Sequence, residues 1–353
     1  MFLAWHEMRH EKGRYGLIIA VIGLISFLIF IISALALGLA HQNTASIDSW
    51  HTKSVLMTKD ANGNLAQSVM TAPELRQQKR NQQSAVVGIT PTNINRQGAS
   101  NHDGIQFVGL NTNEYIYQNM PISKGHRPQR ANEVIISDKL SHYHLNDKIK
   151  IGLDDNTYTI SGITPDALYN MAPVVYGQLT NWNHIKGVNQ NFKASGIVSK
   201  ATTPIKTNNA QLQLFNHDQF LKELPGYSAQ NTTFIFMIVF LIIIALVVVT
   251  IFLYILTLQK RPNFAVLRAQ GIPNRYLLRN TFSETLLLML FAVILGCGLT
   301  TLTATIIPSG VPMYFDIPLM FGVATGILVT GLLGSCIPML VISKIDPVTV
   351  IGG

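Results

Sequence analysis

Apolar and mixed stretches alternate along the chain on a long scale. No Asp, Glu, Lys or Arg occurs in residues 16–40, 232–259, 285–307 or 317–343. A helix needs about 20 residues to cross a hydrocarbon core, so each stretch is long enough, and we read four transmembrane helices over 16–40, 232–258, 285–307 and 317–343. The end of the first stretch, "SALALGLA", has the small-residue spacing of a signal cleavage site. A signal core is about 7–15 apolar residues, shorter than this run, so the reading is a retained span. Residues 41–231 have the mixed pattern of a folded domain. The expected fold class is therefore membrane α-helical, with a large α+β extracellular domain inserted between helices 1 and 2.

Inside that domain "NEVIIS" reads as a strand, and "DKIKIGLDDNTYTISGI" alternates around Asp154, Asp155 and Asn156, the pattern of a hairpin. A second hairpin is expected in "KSVLMTKDANGNLAQSVM", where Asn62 and Gly63 tolerate the positive φ of a tight turn. Between them "NINRQGASNHDGIQ" reads as loop. At the start of the chain, Phe2, Trp5 and Met8 recur every three residues opposite charged positions. This predicts a short amphipathic helix over residues 1–15 lying on membrane lipid.

Charge sets the orientation. Arg9, Lys12 and Arg14 precede the first span, Lys260, Arg261, Arg268, Arg275 and Arg279 separate the second from the third, and Lys344 follows the fourth, whereas residues 308–316 contain no basic residue. By the positive-inside bias both termini, segment 259–284 and the tail 344–353 are cytoplasmic. Domain 41–231 and loop 308–316 then lie outside, in a multi-pass protein of the cell membrane. The net charge of +8 is largely this topological bias, and the other basic residues are scattered, which argues against nucleic acid as a partner.

Cys297 and Cys336 both fall in predicted spans and read as small apolar packing residues, so the outer domain must fold without disulfides. Helices 3 and 4 carry Gly296, Gly298, Gly322, Gly326, Gly331 and Gly334. Small residues mark close helix contacts in lipid, here with other protein, including a second copy of the chain. The sequence contains no phosphate-binding G-x-x-x-x-G-K-[ST] loop, no C-x-x-C, no H-E-x-x-H and no G-x-S-x-G. His142 and His144 stand two apart but are not read as metal ligands. The expectation is a chain that is no enzyme, with no intrinsic cofactor and no resident metal, whose basic inner segment docks another protein.

The stretch "QKRPNFAVLRAQGIPNRYLLRNTFSE" resembles the coupling segment of permeases in the FtsX/MacB-like class of ABC transporters. Lys260, Arg261, Val266, Leu267, Arg268, Ala269, Gly271 and Glu284 match the pattern, and "GHRPQRANEVIISDKL" and the tail "KIDPVTVIGG" extend the likeness over nearly the whole chain. Within the class, "RYGLII", "DALYNMAP" and the closing Ile-Gly-Gly resemble haem-regulated efflux permeases of Gram-positive bacteria. The resemblance implies a homodimeric permease that works with a separate ABC ATPase, which binds the ATP, and that extrudes haem as substrate by mechanotransmission. The same class includes exporters of peptides or lipids and non-transporting, FtsX-like signalling scaffolds, and the sequence leaves these alternatives open.

Two sets of residues follow from this. Lys260, Arg261, Val266, Leu267, Arg268 and Gly271 form the expected ATPase-coupling site. Gly271, Ile272 and Pro273 should break it into two short helical pieces, with Val266 and Leu267 entering an apolar cleft. Haem leaving through the outer leaflet would meet aromatic side chains at the outer boundary, where Tyr can ligate ferric iron. The candidates are Trp50, Tyr169 and Tyr227, with His41, Met313 and Tyr314 at the same level.

Overall fold

Helix α1, Lys12–Ser49, is uninterrupted and runs well past the end of its apolar stretch. Its polar continuation "HQNTASIDS" stays helical because its side chains bond along the helix. The Asn43 amide nitrogen donates to the Leu39 carbonyl at 2.9 Å, and the Thr44 hydroxyl donates to Asp48, one turn on, at 2.7 Å. Ile47 on the same stretch is fully buried. The computed structural model describes residues 6, 8–96, 102–203, 205, 207–308 and 311–343. Of the expected amphipathic helix at 1–15, residues 1–5 and 7 lie outside these residues, and the tail 344–353 does so entirely. The chain divides into a helical unit, Met1–Gly38 with Asn231–Gly353, and an α+β unit, Leu39–Gln230.

In the α+β unit the elements after α1 are β1 (Ser54–Thr58), β2 (Met70–Thr71), α2 (Ala72–Gln77), β3 (Ser84–Arg96), β4 (Asp103–Leu110), α3 (Tyr115–Asn119), β5 (Lys124–Gly125) and β6 (Glu133–Ser137). They continue with β7 (Lys148–Ile151), β8 (Thr157–Thr164), β9 (Leu168–Tyr169), β10 (Ala172–Gln178), α4 (Trp182–Lys186), β11 (Phe192–Ala194), β12 (Gly196–Ser199), β13 (Leu212–Asn216) and α5 (His217–Glu223). The main sheet runs β13-β1-β12-β3-β4-β10-β6-β8-β5, and β7 pairs with both β3 and β8. The ladder β3-β4-β10-β6-β8-β7 thus returns to β3 as a ring of six strands, which removes the exposed edges those strands would otherwise present. Phe107, Val134, Ile149, Ile160 and Trp182 fill one core of this unit. A second core gathers Val55, Met57, Val87, Val108 and Phe220 around Ile47 and Trp50.

The expected hairpin at 147–163 forms, with Lys148 opposite Thr159 and Ile149 opposite Tyr158. The one expected around Asn62–Gly63 does not. Both residues take positive φ, 51° and 80°, but they close a single turn of 3₁₀ helix. β1 pairs instead with β12 and β13, from the far end of the domain. The stretch expected as loop at 93–106 lies mostly in strands, because β3 and β4 stay paired as far as Ile94 opposite Asp103. Its large apolar side chains, Ile94 and Ile105, both face the core, but they stand too far apart in sequence to register as alternation.

The helical unit contains the inner part of α1, then α6 (Tyr227–Ala269), α7 (Asn274–Ile306), α8 (Ile317–Gly334) and α9 (Cys336–Ser343). The last two divide the fourth predicted span at Ser335. Ile22, Ile29, Val249, Met289 and Ile327 pack at the centre. Small residues allow these helices to approach closely within the chain. A Cβ on Gly296 would lie 2.8 Å from that of Ser26, and one on Gly331 would lie 2.3 Å from the Met289 sulfur. Gly298, Gly322 and Gly326 meet open space, so the glycine faces are only partly available to a second copy. Cys297 and Cys336 are exposed on the helices and are not packed inward as expected.

Candidate functional site

The three aromatic candidates share one neighbourhood. Trp50 and Tyr169 belong to the second core of the α+β unit, and Tyr227 packs against it. Their burial departs from the expectation of an open stacking platform, since Trp50 is 4% and Tyr169 2% exposed. Tyr176, which sequence reasoning missed, meets Trp50 edge-on at 6.5 Å between ring centres and donates its hydroxyl to Ser46 at 3.1 Å. The β-branched pair in "APVVYGQ" was a signal for its strand that went unread, and nothing in the sequence pointed to its partner on α1. A cavity of about 80 Å³ beside Trp50 is lined by Tyr115, Met120 and Lys200 among others. Ligand pockets run from roughly 300 Å³ upward, so no porphyrin fits there in this conformation.

Burial also governs the phenols. It pushes the Tyr169 hydroxyl well above its ordinary pKa, and burial together with the Asp48 carboxylate raises that of Tyr227. Iron ligation by Tyr uses the phenolate, which both environments disfavour. In this conformation the pair supplies apolar and hydrogen-bonding contact, not a ready axial ligand.

The "DALYNMAP" loop folds as a tight hairpin. Tyr169 of β9 pairs with Ala172 of β10, while the backbone amides of Asn170 and Met171 donate to the Asn43 and Gln42 carbonyls of α1, each at 3.1 Å. The His41 ring contacts the Asp166 carboxylate, and Lys139 lies 3.2 Å from the same group. The hydrogen bond to His41 leads the effects that hold the Asp166 carboxyl below its usual pKa, with the charge of Lys139 adding to it. His41 is therefore half-buried and engaged in fixing the hairpin to α1. Met313 and Tyr314 belong to the helical unit. There the Tyr314 amide donates to the Ala34 carbonyl at 3.1 Å, and Gly38 sits where any Cβ would meet the Pro312 carbonyl oxygen at 2.1 Å.

The coupling residues separate into two groups. α6 continues as helix through Pro262 to Ala269, Gly271 takes a φ of 89°, and α7 starts at Asn274. The break falls where expected, but the flanking pieces are the ends of long helices and not short helices of their own. Lys260 is buried, with its ammonium 2.8 Å from the Glu284 carboxylate. That carboxylate also accepts from the Tyr15 hydroxyl, and the ammonium lies 5.5 Å from the centre of the Tyr15 ring. Lys260 thus joins α6 to α7 and α1 and is removed from the expected docking surface. Leu267 leans on a small cluster of Phe264, Ala265, Leu277 and Ile342, whereas Val266 is 48% exposed. Arg261 is exposed like Val266, and Arg268 is half-buried.

Comparison with known proteins adds a family and relatives. Residues 235–347 match the FtsX-like permease C-terminal family. The chain is 26% identical over 356 residues to the putative hemin transport system permease protein HrtB of Staphylococcus epidermidis, spanning 100% of this chain and 99% of that one. It is 25% identical over 359 residues, with the same coverage, to the protein of that name in Staphylococcus haemolyticus. An uncharacterized ABC transporter permease of Mycobacterium tuberculosis is 25% identical over 366 residues, again spanning 100% and 99%. The extracellular domain of the ABC-type transporter YknZ from Gram-positive bacteria aligns with 50% of this chain and 94% of its own, at 13% identity and a TM-score of 0.30.

Proposed function

We propose that this chain, an ABC transporter permease with an FtsX-like domain, extrudes haem from the membrane as a homodimer, driven by a separate ATPase. The observation that carries the reading is similarity over the full length to permeases named for hemin transport. The geometry supports it in two ways. Aromatic side chains cluster around Trp50 beside a hairpin fixed to α1, and α1 reaches that hairpin directly after its apolar run ends at Ala40. Such a level, half apolar and half wet, suits an amphipathic macrocycle with carboxylate arms.

The orientation we propose follows the basic residues: termini and segment 259–284 inside, the α+β unit outside. Haem enters from the outer leaflet, and nucleotide-driven movement at the cytoplasmic ends of α1 and α6 travels along these helices and expels it. The test is the purified permease with its ATPase, titrated with haemin and followed by the porphyrin absorption band, alongside survival of a permease-deficient strain on haemin. Saturable binding with restored survival is expected. A complex that binds no haemin and protects no cells, while its ATPase is stimulated by a peptide or lipid, overturns the haem assignment.

A further inference from the structure

The turn of the β9–β10 hairpin contains a conflict between sequence and backbone. Asn170 and Met171, its two central residues, have φ of 48° and 62°. Two-residue turns with both centres in this region favour Asn followed by Gly, because a Cβ at positive φ is strained. Asn170 conforms. Met171 does not, and its side chain contributes little to the fold, being 51% exposed.

The turn cannot relax easily, since its two amides are bonded to Gln42 and Asn43 of α1 and Asp166 at the hairpin's base is paired with His41 and Lys139. A residue kept in strained backbone with an outward apolar side chain points to a contact made outside the fold. We propose that Met171 is a substrate-contacting residue that packs its thioether chain against bound haem. This rests on the haem-export reading and adds to it a residue that neither the sequence nor the aromatic cluster indicated.

The chemistry fits. Methionine is flexible and polarizable, so it follows the surface of an aromatic ring without demanding one geometry, and its sulfur is an accepted neighbour of haem iron. The site lies where α1 leaves its apolar run. Tyr169, two residues away, is turned into the core, whereas Met171 is the exposed large apolar side chain of the hairpin's turn.

Met171→Gly in the full permease–ATPase complex is the test, because glycine suits the turn and the variant should fold at least as well. Its melting temperature should rise by about 2 °C or more, the scale expected from relieving one strained residue in a domain of this size. Its affinity for haemin should fall about tenfold or more, the scale of losing one apolar side chain's contact. Met171→Leu, which keeps both bulk and strain, should bind within about threefold of the unaltered chain. Haemin binding by Met171→Gly equal to that of the unaltered chain overturns the proposal. So does normal haemin binding combined with easier extraction from phosphatidylglycerol vesicles, which would assign the side chain to lipid. Absence of haemin binding by the unaltered complex would instead defeat the export reading itself.

Discussion

Removing the ammonium of Lys260 should destabilise the helical unit more than any change on its surface. Its side chain is 11% exposed and that of Glu284 6%, with nitrogen and oxygen 2.8 Å apart. Lys260→Met leaves the carboxylate buried with Tyr15 as its remaining partner among the interactions described. Breaking one side of such a pair costs about 3–5 kcal/mol, most of it from the stranded charge. Glu284→Met removes the carboxylate from beside the ammonium, which keeps its other contacts, the Tyr15 ring among them at about 0.5–2 kcal/mol. The double variant Lys260→Met/Glu284→Met removes both charges of the pair and keeps similar volume, so it should recover most of the loss, giving a coupling energy of at least about 3 kcal/mol. The assay is a double-mutant cycle on reversible unfolding in mixed micelles, followed by helical circular dichroism. Single variants that cost under about 1 kcal/mol, the range of exposed pairs, with no recovery in the double, would refute the reasoning.

Val266→Asp with Arg268→Asp should abolish co-purification with the ATPase while membrane insertion is unchanged; an intact complex would show that the docking surface lies elsewhere. Binding of haemin and nucleotide should be antagonistic in the assembled complex, because expulsion requires the nucleotide-bound state to hold haem less well. Equal or tighter haemin binding with a non-hydrolysable ATP analogue would sink the expulsion mechanism but not the transport assignment. The hairpin's attachment to α1 should loosen in acid. With its carboxyl below the usual value, Asp166 contributes stability that is present above the ordinary carboxylate pKa of about 4 and lost as pH falls through the lowered one. Hydrogen exchange at the Asn170 and Met171 amides should accelerate below about pH 4, and Asp166→Asn should remove that step.

The four spans were legible because an apolar run of about 20 residues without a single charge has few places to go but a bilayer. Their ends were less so. Nothing in "HQNTASIDS" marks helix until Ile47 and Trp50 are seen to be buried, and the second span was ended at 258 although α6 continues through Pro262 to Ala269. Lys260 was read as a basic flank and docking residue and Glu284 only as part of the coupling pattern, since their pairing depends on helix contacts that a linear pattern does not encode. Trp50 and Tyr169 were found by type and position, yet burial is a tertiary property, and the same rings could equally have been exposed. Met171 passed unnoticed because only the backbone φ shows that a methionine occupies a glycine's place.

β1 lies between β12 and β13, so the first strand to emerge from the ribosome is completed by two of the last. Val55, Leu56 and Met57, all fully buried in the finished domain, have no partners until the chain reaches Ser199 and Asn216, a short distance before α6 begins at Tyr227. The domain therefore matures late, as the second span is being made, and depends until then on whatever shields an unpaired apolar strand from aggregation. A chain stopped before Gly196 would yield no smaller version of this domain, only one whose first strand never finds a place.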